Sequence, residues 1–130
     1  MRIAVLSPRF RPRFCGVSDY TAQLARSLNL SGQDVKIWTS ENSVEPLSGI
    51  EIESTHRPWN GWLFFILIRS LRKWKPDVIL IQYTPQSIAP RMLGVWPAFP
   101  FWLALMRKVL GKKTAVIAHE LNYPVNMSLR

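Results

Sequence analysis

Apolar positions along the chain follow two rhythms. Ile3-Ala4-Val5-Leu6, Val35-Lys36-Ile37-Trp38-Thr39, Val78-Ile79-Leu80-Ile81 and Ala115-Val116-Ile117-Ala118 are short, nearly continuous runs. Such runs predict strands covered on both faces, as in a parallel sheet. Ile50-Glu51-Ile52-Glu53 alternates instead, which predicts an edge strand. Elsewhere the period lengthens. Tyr20, Leu24, Ala25 and Leu28 recur at helical spacing, with Ser18 as the expected N-cap and Ser31-Gly32 as the stop. Asn60 to Trp74, closed by Lys75-Pro76, and Ala89 to Leu110, closed by Gly111, predict two more helices. The alternation of strands and helices predicts an α/β fold. It is a Rossmann-like parallel sheet with right-handed crossovers and helices on both faces.

The 130 residues fit one domain, 1–130, and a chain of this length buries roughly 68% of its unfolded surface. Cys15 is the single cysteine, which excludes a disulfide scaffold, and with only His56 and His119 beside it no Cys/His zinc site is expected. Charge changes the picture more. Lys and Arg number 17 against 8 acids, a net +9, and from Ser54 to His119 there are ten cations and one acid, Asp77. Anionic partners follow from this: nucleotide phosphates or an acidic membrane surface. Nucleic acid is not expected, because the aromatics gather in apolar helical runs rather than alternating with cations on a strand platform. The runs Trp62 to Ile68 and Leu93 to Met106 are too short to span a bilayer. Their cationic flanks and Trp59, Trp74, Trp96 and Trp102 suit a helix lying on a membrane surface, and burial against a sheet is the competing interpretation. Met1-Arg2 leads directly into Ile3, leaving no room for a secretory signal core, so a cytoplasmic location is expected, with peripheral attachment to a membrane.

Ligands of such sheets lie beyond the carboxyl ends of the strands, where strand order reverses. Three segments qualify: the loop after Ser7, the residues at Gln82-Tyr83-Thr84, and the chain from His119 onward. Gly16 precedes a helix, where unpaired backbone amides and the helix dipole suit a phosphate, although a glycine there also serves a plain turn. The loop has neither G-x-G-x-x-G nor G-x-x-x-x-G-K-[ST], and Thr21 stands where a cysteine phosphatase loop needs arginine. His119-Glu120 can bind a ligand hydroxyl, or His119 can simply satisfy a carbonyl.

Three blocks in this order resemble a known family. They are Met1 to Pro8 with Cys15-Gly16-Val17-Ser18-Asp19-Tyr20-Thr21-Ala22-Gln23-Leu24-Ala25-Arg26-Ser27-Leu28 and Gly32-Gln33-Asp34-Val35; Lys75-Pro76-Asp77-Val78-Ile79-Leu80-Ile81-Gln82-Tyr83; and Val116-Ile117-Ala118-His119-Glu120. Together they are similar to the amino-terminal domain of the retaining, nucleotide-sugar-dependent glycosyltransferases with the two-domain GT-B fold. The resemblance covers Met1 to about Tyr123. It implies transfer of a glycosyl unit from a nucleotide-sugar donor to a hydroxyl acceptor; the basic, Trp-rich surface suggests that this acceptor is presented at a membrane, on a lipid carrier. By position it implies that Gly16 and Val17 bind the donor's diphosphate. It further implies that Asp19, Tyr83 and Glu120 line the acceptor side, and that His119 is the catalytic-site residue that positions the sugar. No cofactor is implied. The family usually shows a glycine pair in the first loop, and Cys15 replaces the first member here. No segment supplies the family's E-x7-E donor motif, so the second, donor-binding domain is expected to be missing from these residues and the 130-residue chain to be inactive alone. The alternative is a non-catalytic domain binding a membrane surface or another polyanion.

Overall fold

The computed structural model describes residues 1–12, 15–56, 61–83 and 99–119. Five strands form one all-parallel sheet: β1 (Arg2–Leu6), β2 (Asp34–Thr39), β3 (Glu51–Ser54), β4 (Val78–Tyr83) and β5 (Lys113–Ala118), in the order β3-β2-β1-β4-β5. Helices α1 (Gly16–Leu30), α2 (Gly61–Trp74) and α3 (Phe99–Leu110) connect them. The expected α/β, Rossmann-like class is what the chain adopts, and the alternating Ile50 to Glu53 segment does occupy an edge as β3. The stretch from Ala89 to Ala98, expected to begin the last helix, lies outside the described residues, as do Trp59 and Thr84.

The continuous runs are explained by two cores, one on each face. On one face Ile3 and Val5 of β1 and Val35 and Ile37 of β2 pack with Ala22 and Ala25 of α1 and with Phe10. On the other, Ala4, Leu6, Trp38, Ile79 and Ile81 pack with Leu67, Ile68 and Leu71 of α2 and Met106 of α3. Each fully buried side chain of this size removes enough apolar surface from water to contribute about 1.5–3 kcal/mol. The face that α3 takes follows from handedness. The chain moves one way from β1 to β2 and the other way from β4 to β5, so crossovers of the same hand place α1 and α3 on opposite faces.

Helix ends follow local chemistry, with one correction. Ser18 is not the N-cap of α1. The Asp19 amide already donates to the Cys15 carbonyl at 3.1 Å, so the helix starts at Gly16 with Cys15, in extended backbone, as the cap. Ser18 is buried in the first turn, its Oγ 3.0 Å from Cys15 Sγ, and Thr21 Oγ1 donates back to the Val17 carbonyl at 2.7 Å. The other end stops as expected. Gly32 takes φ +83°, and the Gly32 and Gln33 amides donate to the Asn29 and Leu28 carbonyls, the paired bonds that close a helix through a left-handed residue.

The Trp62 to Ile68 run divides between its two interpretations. Leu67 and Ile68 are in the core, whereas Phe65 and Ile66 face solvent at 60% and 56% exposure. In α3, Met106 is buried and Phe101 is 76% exposed. No helix among the described residues is long and apolar enough to cross a membrane.

At the β3 edge of the α2 face sits a polar network. The buried Lys36 ammonium contacts Glu51 Oε1 at 2.5 Å and Glu53 Oε2 at 2.9 Å, and lies over the Trp38 ring. Ser70 Oγ donates to Glu53 at 2.7 Å and accepts from Trp38 Nε1 at 2.9 Å. Burial alone would lower the Lys36 pKa, but its bonds to Glu51 and Glu53 and their charges outweigh this and raise it. Burial likewise pushes Glu53 up, and the bonds from Lys36 and Ser70, with the Lys36 charge, bring it below its ordinary value.

Candidate functional site

Strand order reverses between β1 and β4. From β1 the chain runs outward through β2 to β3 and then returns to the other side of β1 as β4. The carboxyl ends of β1, β4 and β5 therefore lie side by side, and the first turn of α1 rises next to them. This is the crevice in which open α/β sheets hold ligands.

The loop leaving β1 is held down at several points. The Ser7 amide donates to the Trp38 carbonyl and its Oγ to the Arg9 carbonyl at 2.7 Å. The Pro8 carbonyl accepts from Thr39 Oγ1 and Ser40 Oγ, and Phe10 is fully buried in the α1-face core. The Arg11–Pro12 peptide is cis. The Arg11 guanidinium donates to Asp19 Oδ1 through Nε at 3.2 Å and Nη2 at 2.8 Å, and approaches Glu45 Oε1 at 3.5 Å. The loop is thereby tied both to α1 and to the segment before β3, so the amides at the head of α1 are held in place in advance of any ligand.

Gly16 is the first residue of α1 and is exposed. A Cβ built on it would meet nothing within 4 Å among the described residues, and its φ lies outside the left-handed region. Neither packing nor backbone conformation requires glycine there. Among the described residues, its bare Cα leaves open space at the head of a 15-residue helix, whose first amides have no partner within the helix itself.

His119 follows β5. Its amide donates to the Tyr83 carbonyl at 2.9 Å, extending the β4–β5 ladder by one bond. Its Nε2 lies 2.5 Å from Oε1 of Gln82, and its ring meets Tyr20 edge to face with centroids 5.2 Å apart. Tyr20 stands one helical turn beyond Gly16, so this contact sets His119 against the start of α1. Gln82 is fully buried, and its Nε2 has no hydrogen-bond partner among the described residues.

Thus His119 lies against Tyr20, four residues along α1 from Gly16 and three from Val17. Asp19 is engaged by Arg11. Tyr83 contributes its carbonyl to His119, and alternation along β4 sends its side chain to the face of Ile79 and Ile81, opposite to Gln82. Glu120 lies outside the described residues. Tyr20 and the Gln82–His119 bond are the members that sequence reasoning did not assemble. Their one signal was a glutamine near the end of an otherwise apolar strand. Among the described residues no group of three or more His, Cys, Asp or Glu could hold a metal ion.

No protein-family model matches the sequence, and no curated protein matches it. The class that the fold defines is a Rossmann-like α/β domain, with a histidine after the last strand beside its switch point.

Proposed function

We propose that this chain is the acceptor-side domain of a glycosyltransferase that moves a glycosyl unit from a nucleotide sugar to a hydroxyl acceptor. The observation that carries the proposal is the Tyr20–His119 contact, which unites the anion-suited head of α1 with a hydroxyl-binding histidine in one crevice. The resemblance of the three sequence blocks supplies the reaction. The bond between the sugar's anomeric carbon and the diphosphate oxygen breaks, and the acceptor oxygen bonds to that carbon. The hydroxyl proton passes to the departing diphosphate. Amides at Gly16 and Val17 stabilise charge developing on that leaving group, and His119 positions the sugar. Donor-binding groups from a second domain complete the site, so the 130-residue chain by itself shows no transfer. The test is a titration of the 15N-labelled chain with uridine and guanosine diphosphates. Amide shifts concentrated at residues 15–20 and at His119 support the proposal. Saturation of shifts elsewhere, or sugar transfer by this chain alone that is lost in His119→Ala, overturns its corresponding part.

A second reading has its own observation. On α2 and α3, Phe65, Ile66, Phe101 and Leu105 are exposed beside the exposed cations Arg69, Arg72, Lys73, Arg107 and Lys108. The two helices are joined where Arg72 Nη2 reaches the Val109 carbonyl. An apolar patch rimmed by cations fits the headgroup region of an acidic membrane, at the cytoplasmic face, where a lipid-linked acceptor would be presented. Flotation with phosphatidylserine-containing and neutral vesicles tests it. Binding that needs the acidic lipid, falls with salt and is lost in Phe65→Ser/Phe101→Ser supports attachment. Equal binding to neutral vesicles, or none, sinks it.

A further inference from the structure

We propose that Gln82 is the positioning residue of this crevice: its side-chain carbonyl holds His119 as the Nε2–H tautomer and so makes Nδ1 the ring's acceptor for a ligand hydroxyl. That the hydroxyl belongs to a sugar rests on the function proposed above, whereas the tautomer does not.

Gln82 is the penultimate residue of β4 and is fully buried on the α1 face, behind Leu80. Packing alone favours an apolar residue at such a position, because a buried amide must be hydrogen-bonded to offset its lost hydration. Among the described residues only half of the amide is satisfied. Oε1 meets His119 Nε2 at 2.5 Å, while Nε2 of the same amide has no partner among the described residues. Among the described residues, what the amide adds over methionine is the bond to His119. An amide carbonyl can only accept, so the proton of that bond resides on His119 Nε2. In the neutral ring Nδ1 then carries the lone pair, the arrangement that accepts from a hydroxyl. Two further contacts fix the ring: the His119 amide on the Tyr83 carbonyl and the Tyr20 edge. The bond thus selects a tautomer for a ring already oriented by its backbone and by α1.

The test is 15N–1H correlation of the imidazole groups in the 130-residue chain, at a pH where His119 is neutral. The expected wild-type pattern is a protonated Nε2, a lone pair on Nδ1, and an Nε2 proton that exchanges slowly with water. Because a free imidazole already leans to the Nε2–H form, the decisive comparison is with Gln82→Met. In that variant the Nδ1–H form appears and exchange of the ring proton accelerates by ~10-fold or more, as expected when an ordered hydrogen bond is lost. Gln82→Glu, which keeps an acceptor at the same atom, restores the Nε2 proton. A wild-type His119 protonated on Nδ1, as a reversed Gln82 amide would require, overturns the proposal. So does a Gln82→Met protein whose His119 pattern is unchanged. If Gln82→Met fails to fold, the wild-type tautomer and exchange rate still decide. The diphosphate titration is a separate readout, so failure of phosphate binding with the tautomer intact refutes the transferase function and leaves this inference standing.

Discussion

Replacing Gly16 with alanine should separate stability from ligand binding. The new Cβ would meet no atom of the described residues within 4 Å, and the backbone there is not left-handed, so those residues leave room for it. A Gly→Ala change at a compatible site stabilises by about 0.4–1 kcal/mol, chiefly by restricting the unfolded chain. For a domain of this size that raises Tm by roughly 1–5 °C. The ligand sees the opposite effect. The methyl group occupies the space through which a diphosphate approaches the α1 amides, and loss of one hydrogen bond to a charged group costs about 1.5–3 kcal/mol. That corresponds to an affinity for uridine or guanosine diphosphate lower by roughly 10- to 100-fold. Thermal unfolding by circular dichroism and calorimetric titration with the diphosphates read the two effects. A Gly16→Ala protein that is less stable than wild type by more than about 1 kcal/mol would show that the glycine serves the fold. Unchanged affinity in a stable variant would show that no ligand passes over it.

Three other perturbations follow from the same contacts. Leu71→Ala opens a cavity in the α2-face core, where Leu71 is fully buried in the same cluster as Trp38, and should cost about 2–5 kcal/mol by urea unfolding. Glu53→Gln should lose about 1–2 kcal/mol at pH 7, discounted from the full cost of breaking a buried pair because Glu53 is 40% exposed and Glu51 remains. The Glu53 pKa is lowered on folding, so its contribution is present above about 4.5 and disappears as pH falls through the lower folded value. The Lys36 pKa is raised, so its contribution is present below about 10.5 and is lost as pH rises through the higher folded value. Wild type and Glu53→Gln should therefore converge in acid, and an unchanged stability gap at pH 2–3 would refute the linkage. Arg11→Ala should cost only about 1 kcal/mol or less of stability, since its acidic partners are nearly half exposed, yet should weaken diphosphate binding several-fold by leaving Asp19 uncompensated beside the anion; equal affinity in calorimetry would refute that role.

The sheet was legible because burial on two faces leaves a direct mark on composition. Ile3 to Leu6 has no polar break because α1 covers one side of β1 and α2 the other. Ile50 to Glu53 alternates because Ile50 and Ile52 pack against the α1-face core while Glu51 and Glu53 pair with Lys36 on the other face. What could not be read off depends on distances between residues far apart in sequence. The expected cap at Ser18 rested on residue preference, and helical hydrogen bonding reaches back to Cys15 regardless. Whether Phe65 or Leu67 would be buried depended on how α2 rolls onto the sheet, which a seven-residue apolar run does not encode. Asp19 gave no sign that Arg11, eight residues earlier, would fold back onto it. The Gln82–His119 bond spans 37 residues and exists only because β4 and β5 pair with Gln82 opposite Ile117.

That register has a consequence for specificity. With Gln82 opposite Ile117, residue 119 projects one pleat past the end of β4, on the same face as Gln82 and toward α1. A one-residue slip would turn His119 to the α2 face, away from α1, and would take from the buried Gln82 its bond to His119. The half-satisfied glutamine therefore penalises the wrong register as well as holding the histidine, because its one bond exists only in the right alignment. Arg11 acts similarly on the other half of the crevice. An acid in the first turn of a helix favours the helix dipole but opposes an arriving anion. Two guanidinium hydrogens on Asp19 Oδ1 retain the first effect and cancel much of the second. The two polar pairs flanking Tyr20, Arg11–Asp19 and Gln82–His119, thus each remove a conflict between folding and binding, one of charge and one of register.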